Sequence, residues 1–226
     1  ELLSVTVPPL LVMMALMALT NLAGLHYVQG HLRAAIRASR QVITLAEERI
    51  GGNSPVMGKP LFILGEMLRE QGDLEAALTH LQESANLMEQ FSELSLPIAR
   101  LSIARVYLHK KDWPAAQACI DQANQQAEAT QSTQLDDRVA ALLQARYWLA
   151  RGELELAREW ASGLGLLQKS PADLIAAAGH SAAFNEVFLG EYLTLARLYL
   201  ALRQPDRVLE IAALLQQQLL HYGQSR

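Results

Sequence analysis

Residues Gly65 to Ala85, GEMLREQGDLEAALTHLQESA, read as two helices joined by a tight turn. Gly72 can adopt the left-handed backbone conformation that ends many helices. Asp73 can then cap the next helix, because its carboxylate can accept hydrogen bonds from the free N–H groups of the first turn. Small and apolar residues follow at helical spacing on one face: Ala76, Ala77, Leu81 and Ala85. The stretch therefore predicts a hairpin of two closely packed helices.

The same turn returns along the chain at intervals near 40 residues. Its marker residues are Gly30, Gly72, Lys111, Gly152 and Arg203. A small residue stands seven positions before the last four markers: Gly65, Ala104, Ala145 and Ala196. A larger residue stands four positions before the same markers: Leu68, Tyr107, Trp148 and Tyr199. Five positions after the markers come Ala35, Ala77, Ala116, Ala157 and Val208. Such a period indicates a solenoid of helix pairs.

Composition also favours helices, because the chain is 51% hydrophobic, only 6% aromatic and free of β-branched runs. The predicted fold is all-α, a right-handed α-α superhelix of about five helical hairpins. Because one hairpin cannot bury its apolar face alone, we expect neighbouring hairpins to stack into a single domain over residues 1–226. An irregular connection is predicted at about 163–184, where glycines and Pro171 interrupt the pattern, with a short helix from Ala172 to Ala178.

Charge and motif content argue against several classes of function. The formal net charge is −4, and the sequence contains no basic stripe of the kind that binds nucleic acid. We therefore expect no direct contact with nucleic acid. The six histidines form no HExxH pair, and there is no GxxxxGK[ST] phosphate loop. The one cysteine, Cys119, has no base nominated beside it, so we interpret it as a structural thiol in a cytoplasmic protein. We expect no enzyme activity, no cofactor and no metal site.

The first thirty residues are unusually apolar. Residues Leu2 to Gly30 contain no charged side chain, and the unbroken apolar run covers Leu10 to Leu19. A membrane span needs about 20 apolar residues, and this run is shorter, so we expect a buried helix of a larger array and no membrane contact. The apolar start is also compatible with self-association. The chain does not begin with Met, which suggests a piece of a longer protein.

The repeat resembles the tetratricopeptide (TPR) signature, although its period exceeds the usual ~34 residues. Longer phrases resemble the helical sensor domain of MalT-type, LuxR-family transcriptional regulators, which belong to the STAND signalling ATPases. The phrases are NLAGLHYVQGHLRAAI, LGEMLREQGDLEAALTHLQES, ARYWLARGELELAREWA and EYLTLARLYLALRQPDRVLEIAALL. In the last of these, the resemblance covers the helix from Glu191 to Arg197 and its turn at Arg203 to Asp206.

The resemblance implies a multidomain parent, with an ATPase module before this chain and a DNA-binding helix-turn-helix after it. The domain would bind a small-molecule inducer or a protein partner and pass that event to the other domains of the regulator. The alternative is a general TPR scaffold that binds a peptide segment of a partner and has no link to transcription. No ligand-contacting residue is carried over, because the shared positions are structural.

One row of charged positions suggests a binding groove. The residue after each small position should lie near the inner surface of the array, and these residues are Glu66, Arg105, Arg146 and Arg197. Stacked arginines would suit a carboxylate or phosphate, since each guanidinium can donate two hydrogen bonds. Phe62 and Arg69 would extend the groove at one end. Alternatively, these arginines only solvate the helix surface or pair with nearby glutamates.

Overall fold

The structure is a computed structural model that describes residues 8–91, 96–130, 134–168 and 186–224. These residues form ten α-helices and one short 3-10 turn, and none of them lies in a strand. The helices are α1 Pro9–Val28, α2 Leu32–Ile50, α3 Gly58–Glu70, α4 Leu74–Gln90, α5 Leu96–Lys110, α6 Trp113–Thr130, α7 Gln134–Arg151, α8 Leu154–Gly163, α9 Glu186–Ala201 and α10 Pro205–Gln224. The 3-10 turn, Pro55–Met57, directly precedes α3. The prediction of an all-α protein is confirmed.

Helix α3 begins at Gly58, directly after the 3-10 turn. Pro60 lies in the first turn of this helix, where its missing N–H removes no intrahelical hydrogen bond. Helix α8 ends at Gly163, where the predicted irregular connection starts, and Gly165 has a φ of 68°. The rest of that connection, including the predicted helix 172–178, lies outside the described residues.

All five turn markers have left-handed backbone conformations. The values of φ are 73° at Gly30, 84° at Gly72, 60° at Lys111, 79° at Gly152 and 58° at Arg203. In each turn the N–H of the residue after the marker donates a hydrogen bond to the carbonyl oxygen of the residue four positions before the marker. The pairs are His31 to His26 at 2.8 Å, Asp73 to Leu68 at 3.0 Å, Asp112 to Tyr107 at 3.0 Å, Glu153 to Trp148 at 2.9 Å and Gln204 to Tyr199 at 2.9 Å. This is the Schellman arrangement, and it satisfies a carbonyl that the helix end would leave free.

The aspartates after two of these markers cap the following helices. Asp73 Oδ1 accepts a hydrogen bond from the Ala76 N–H at 3.2 Å. Asp112 Oδ1 accepts one from the Ala115 N–H, also at 3.2 Å. The cap predicted at Asp73 is therefore confirmed, and Asp112 repeats it one hairpin later.

Helices α3 and α4 approach closely at Gly65. A Cβ atom built on Gly65 would lie 2.6 Å from Leu81 Cγ and 3.2 Å from the Ala77 carbonyl oxygen. Ala77, five residues after the turn marker, is completely buried. The equivalent alanines Ala116 and Ala157 are also completely buried. Small residues at these positions therefore let the two helices of a hairpin pack against each other.

The chain divides into two compact units, Glu1–Ser132 and Thr133–Arg226. In the first unit, which we call unit 1, each of α1 to α5 packs against the next helix, α1 also contacts α3, and α3 contacts α5. In unit 2, α9 packs against α7, α8 and α10. Its core contains the buried side chains Tyr192, Leu195, Leu198 and Ile211. The prediction of one domain over the whole chain stays a prediction.

Helix α1 is apolar but largely exposed. Only 17% of its window Leu10–Tyr27 is buried, and the mean hydropathy of that window is 1.6. Its large exposed side chains are Leu10, Leu11, Met14, Met17, Leu22 and Leu25. The expectation of a buried first helix is therefore not met within this chain. By length and composition alone, α1 could cross a membrane.

The tight approach at Gly65 leads to a first prediction. Replacing Gly65 with Ala should lower the free energy of unfolding by about 1–3 kcal/mol, because the new methyl group overlaps Leu81. Urea unfolding followed by circular dichroism measures this change. Gly163→Ala is the matched control, since a Cβ there meets nothing within 4 Å. Equal stability of the Gly65→Ala variant and the natural chain would contradict the close approach.

The turn geometry predicts opposite effects at two markers. Gly72→Ala should lower the free energy of unfolding by about 1 kcal/mol or more, because alanine is strained at positive φ. Lys111→Gly should have a neutral or stabilising effect of up to about 1 kcal/mol, because glycine relieves that strain. Gly52 has open space and an ordinary φ, so Gly52→Ala serves as the control in the same urea titrations. Destabilisation by Lys111→Gly as large as that by Gly72→Ala would contradict the shared turn.

Candidate functional site

A buried carboxylate joins two arginines in unit 1. Glu66, on α3, has a side chain that is only 1% exposed. Arg69 donates to it twice, from Nε to Oε1 at 3.3 Å and from Nη2 to Oε2 at 3.0 Å. Arg105, on α5, donates from Nη1 to Oε2 at 3.4 Å. Arg69 Nη2 also lies 2.6 Å from Glu70 Oε1. The cluster ties the first helices of two neighbouring hairpins together.

The charges in this cluster set its protonation state. Burial by itself would raise the pKa of Glu66, but the charges of Arg69 and Arg105 outweigh burial and lower that pKa. Burial opposes the charged form of Arg69 as well, yet the pKa of Arg69 is raised, chiefly because Glu66 stabilises the guanidinium. The buried Ser102 hydroxyl lies beside the carboxylate and helps to lower its pKa, although it falls outside hydrogen-bond geometry. The carboxylate is therefore ionised at neutral pH.

Unit 2 has polar contacts of the same kind between α7 and α9. Arg138 donates to the buried Glu191, from Nε to Oε1 at 3.0 Å and from Nη2 to Oε2 at 2.6 Å. Two turns further along α7, Arg146 Nε donates to Thr194 Oγ1 at 3.1 Å. The Thr194 hydroxyl in turn donates to the Gly190 carbonyl at 2.7 Å. Gly190 permits this approach, since a Cβ there would lie 2.7 Å from Leu142 Cδ2 and 3.3 Å from Arg146 Nη2.

The six residues predicted to line a groove fall into two groups. Glu66, Arg69 and Arg105 meet directly in unit 1, and Phe62 is half-buried against the core of that unit. Arg146 and Arg197 belong to unit 2, where Arg197 is exposed on α9. Arg197 makes no hydrogen bond or ion pair with any other described residue, whereas Arg146 is engaged with Thr194. A ladder of arginines along the whole array stays a prediction.

Sequence reasoning missed the partners of these arginines. Glu191 and Thr194 belong to the sequence EYLTLARLYLALRQPDRVLEIAALL, but no role was predicted for their side chains. In the structure they accept the hydrogen bonds of Arg138 and Arg146. Both are completely or almost completely buried. Their spacing of three places them on one face of α9. Polar residues at helical spacing within an otherwise apolar helix were the signal that could have revealed them.

The titratable side chains of Cys119 and Tyr192 have raised pKa values. Burial raises the pKa of the Cys119 thiol, and the nearby Arg100 offsets this only in part, so the thiolate is disfavoured. No group of three or more His, Cys, Asp or Glu side chains in the described ranges could hold a metal ion. Burial and the charge of Glu191 raise the pKa of Tyr192. Both side chains are therefore neutral at pH 7.

Comparison with known proteins identifies the family. A family model described as a MalT-like TPR region matches residues 10–226. The chain belongs to this family. No curated protein matches the chain. The period near 40 residues and the five turns are thus features of a MalT-like TPR region.

Solved structures agree with the fold of this MalT-like TPR region. The crystal structure of nearly identical TPR-like repeats from a proposed kinesin light chain of Podosopora anserina has a TM-score of 0.58 and 15% identity. That match covers 90% of this chain and 96% of the other. The Q17M variant of the same repeats has a TM-score of 0.59 and 15% identity, and covers 91% and 96%. At this identity the likeness shows the fold alone.

The Glu66 cluster predicts a pH dependence of stability. The pKa of Glu66 is lower in the folded protein than its ordinary value of 4.5. The ion pairs therefore contribute fully to the free energy of unfolding at pH values above the ordinary pKa. Their contribution is lost as the pH falls below that value and passes through the lowered pKa of the folded protein. Glu66→Gln should destabilise the chain by about 1–3 kcal/mol at pH 7, and by less as the pH falls. Urea titrations between pH 7 and pH 3 measure this difference.

Glu70→Gln is the control for this experiment. Glu70 follows on the same helix and also contacts Arg69, but its side chain is 48% exposed. An exposed pair contributes about 0–1 kcal/mol, so the effect of Glu70→Gln should be smaller at every pH. Equal effects of the two substitutions at pH 7 would contradict a special role for the buried carboxylate.

Proposed function

We propose that this MalT-like TPR region is the ligand-sensing and protein-interaction domain of a cytoplasmic, LuxR-family transcriptional regulator. It would bind an effector or partner and transmit that event to ATPase and DNA-binding domains outside this chain. The family match over residues 10–226 carries this proposal. The helical-repeat fold supports it, because stacked hairpins present extended surfaces for binding.

The binding group that we favour is Arg197. It lies on α9 three residues after Thr194, whose hydroxyl accepts the hydrogen bond of Arg146. Its guanidinium is exposed and uncompensated among the described residues, so it is free to bind a carboxylate or phosphate. Arg69 and Arg105 are less available to an anionic ligand, because Glu66 already balances part of their charge. In the proposed site, which lies within unit 2, Arg197 binds the acidic group together with Arg146.

The proposed mechanism is a shift between arrangements of the first helices of neighbouring hairpins. The contacts between α7 and α9 run through Arg138, Arg146, Glu191 and Thr194. An effector that binds one arrangement better than another shifts the population toward it, to the extent of its differential affinity. A tenfold preference corresponds to about 1.4 kcal/mol. That amount is comparable to one interhelical hydrogen bond to a charged group.

The gene that encodes this chain discriminates the proposal from a general TPR scaffold. A regulator of the proposed type should encode a GxxxxGK[ST] loop before these residues and a helix-turn-helix after them. A full-length sequence that lacks both would contradict the role in transcription. Binding of a partner peptide would then be the remaining function of the helical-repeat surface.

A thermal-shift screen of small sugars, acids and nucleotides tests the proposed site. An acidic effector at 100 times its Kd should add about 2.7 kcal/mol to the free energy of unfolding and raise Tm. The combined substitution Arg146→Ala and Arg197→Ala should weaken binding at least tenfold, because it removes two cations from one face. Arg158→Ala is the control, since Arg158 is an exposed arginine of α8 that pairs with Glu155. Unchanged binding by the double variant would exclude this site.

A further inference from the structure

A cleft opens between α1, the 3-10 turn and α3 of unit 1. Its volume is about 330 Å³. The lining residues are Met17, Thr20, Asn21, Pro55, Val56 and Lys59. This volume lies at the lower end of the range typical of pockets for small molecules, about 300–1,000 Å³. The cleft therefore has room for part of a small ligand.

The walls of the cleft are apolar, and one cation stands at its edge. The Thr20 hydroxyl is already engaged, since it donates to the Leu16 carbonyl at 2.8 Å. Lys59 Nζ has only a long hydrogen bond of 3.5 Å to Asn21 Oδ1. No carboxylate in the described part of the chain forms an ion pair with Lys59, whereas Lys110 pairs with Glu75. The cleft thus combines apolar surface with an ammonium group that lacks an anion.

An apolar strip of α1 leads into the cleft. Leu10, Met14 and Met17 follow one another at spacings of four and three residues, so they share one face of the helix with Asn21. Their exposed fractions are 70%, 57% and 58%. The strip from Leu10 to Met17 is about 10 Å long, at about 1.5 Å per residue. Methionine side chains are flexible and polarisable, which suits contact with an alkyl chain.

We propose that this cleft binds a small amphipathic carboxylic acid with an unbranched alkyl chain. The carboxylate pairs with Lys59 Nζ and accepts a hydrogen bond from the Asn21 amide. The alkyl chain fills the cleft against Val56 and continues along the Met17–Leu10 strip. Lys59 is exposed, so solvent partly screens this ion pair, and the apolar contacts of the alkyl chain add to its effect. This site lies within unit 1 and does not depend on the proposed role in transcription.

The test uses decanoate as the probe, below its micelle-forming concentration, with the full chain. Binding is measured by calorimetry and by ¹³C-methyl NMR of the methionines. The Met17 methyl signal should shift on titration, and that of the fully buried Met67 should not. Decanol, which has the same chain without the charge, should bind at least tenfold more weakly. Lys59→Gln should lower the affinity for decanoate at least tenfold, and Lys59→Arg should retain that affinity.

Two further variants keep the test decisive. Val56→Trp should abolish binding by filling the cleft, and circular dichroism shows whether this variant is folded. Lys111→Gln is the matched control, because Lys111 is an exposed lysine in a turn remote from the cleft in sequence. The absence of decanoate binding would overturn the proposal. So would equal binding of decanoate and decanol, or full binding by Lys59→Gln, since α1 would then act as a non-specific apolar surface for alkyl chains or lipid.

Discussion

The structure depends on one backbone constraint, the left-handed residue that ends the first helix of each hairpin. At Gly30, Gly72, Lys111, Gly152 and Arg203 the chain reverses within two residues, so the second helix folds back against the first. The Schellman hydrogen bond fixes this reversal without any long-range partner. Because the turn is so short, the two helices must approach closely. This requirement explains the small residues before and after most of the markers.

Features encoded locally were the ones that the sequence predicted well. Helix ends, caps and turns depend on residues within one or two turns of each other, so Gly72 and Asp73 were sufficient to predict them. Lys111 and Arg203 were found only by alignment with the glycine markers, since their side chains do not favour positive φ. Register with the other repeats thus compensated for a weak local signal.

Features that depend on contacts between hairpins were harder to predict. Glu66 was expected near a groove, but its side chain is buried between two arginines. The sequence around Glu66 does not predict that Arg105 lies beside it, because the distance between these two side chains depends on how α3 packs against α5. The exposure of α1 was missed for the same reason, since an apolar sequence does not show whether a neighbour covers it.

Charged residues in this MalT-like TPR region have two different roles. Arg105 and Arg138 connect the first helices of successive hairpins through buried carboxylates. Removing one partner of such a pair leaves an uncompensated buried charge, so these contacts fix which helix neighbours which. Arg197 and Lys59 stand outside these pairs, and in our proposals they bind anions. Surface charge alone would not separate the two roles, whereas burial of the partner carboxylate does.

Buried ion pairs hold the first helices of neighbouring hairpins together. A double-mutant cycle on Glu66→Gln and Arg105→Gln, measured by urea unfolding at pH 7, tests this claim most directly. The account predicts a coupling energy of about 1–2 kcal/mol, because one partner is a buried charge. The exposed pair Arg158 and Glu155 should give only a few tenths, about 0.2–0.5 kcal/mol. A coupling for Glu66 and Arg105 no larger than that of the exposed pair would contradict the account.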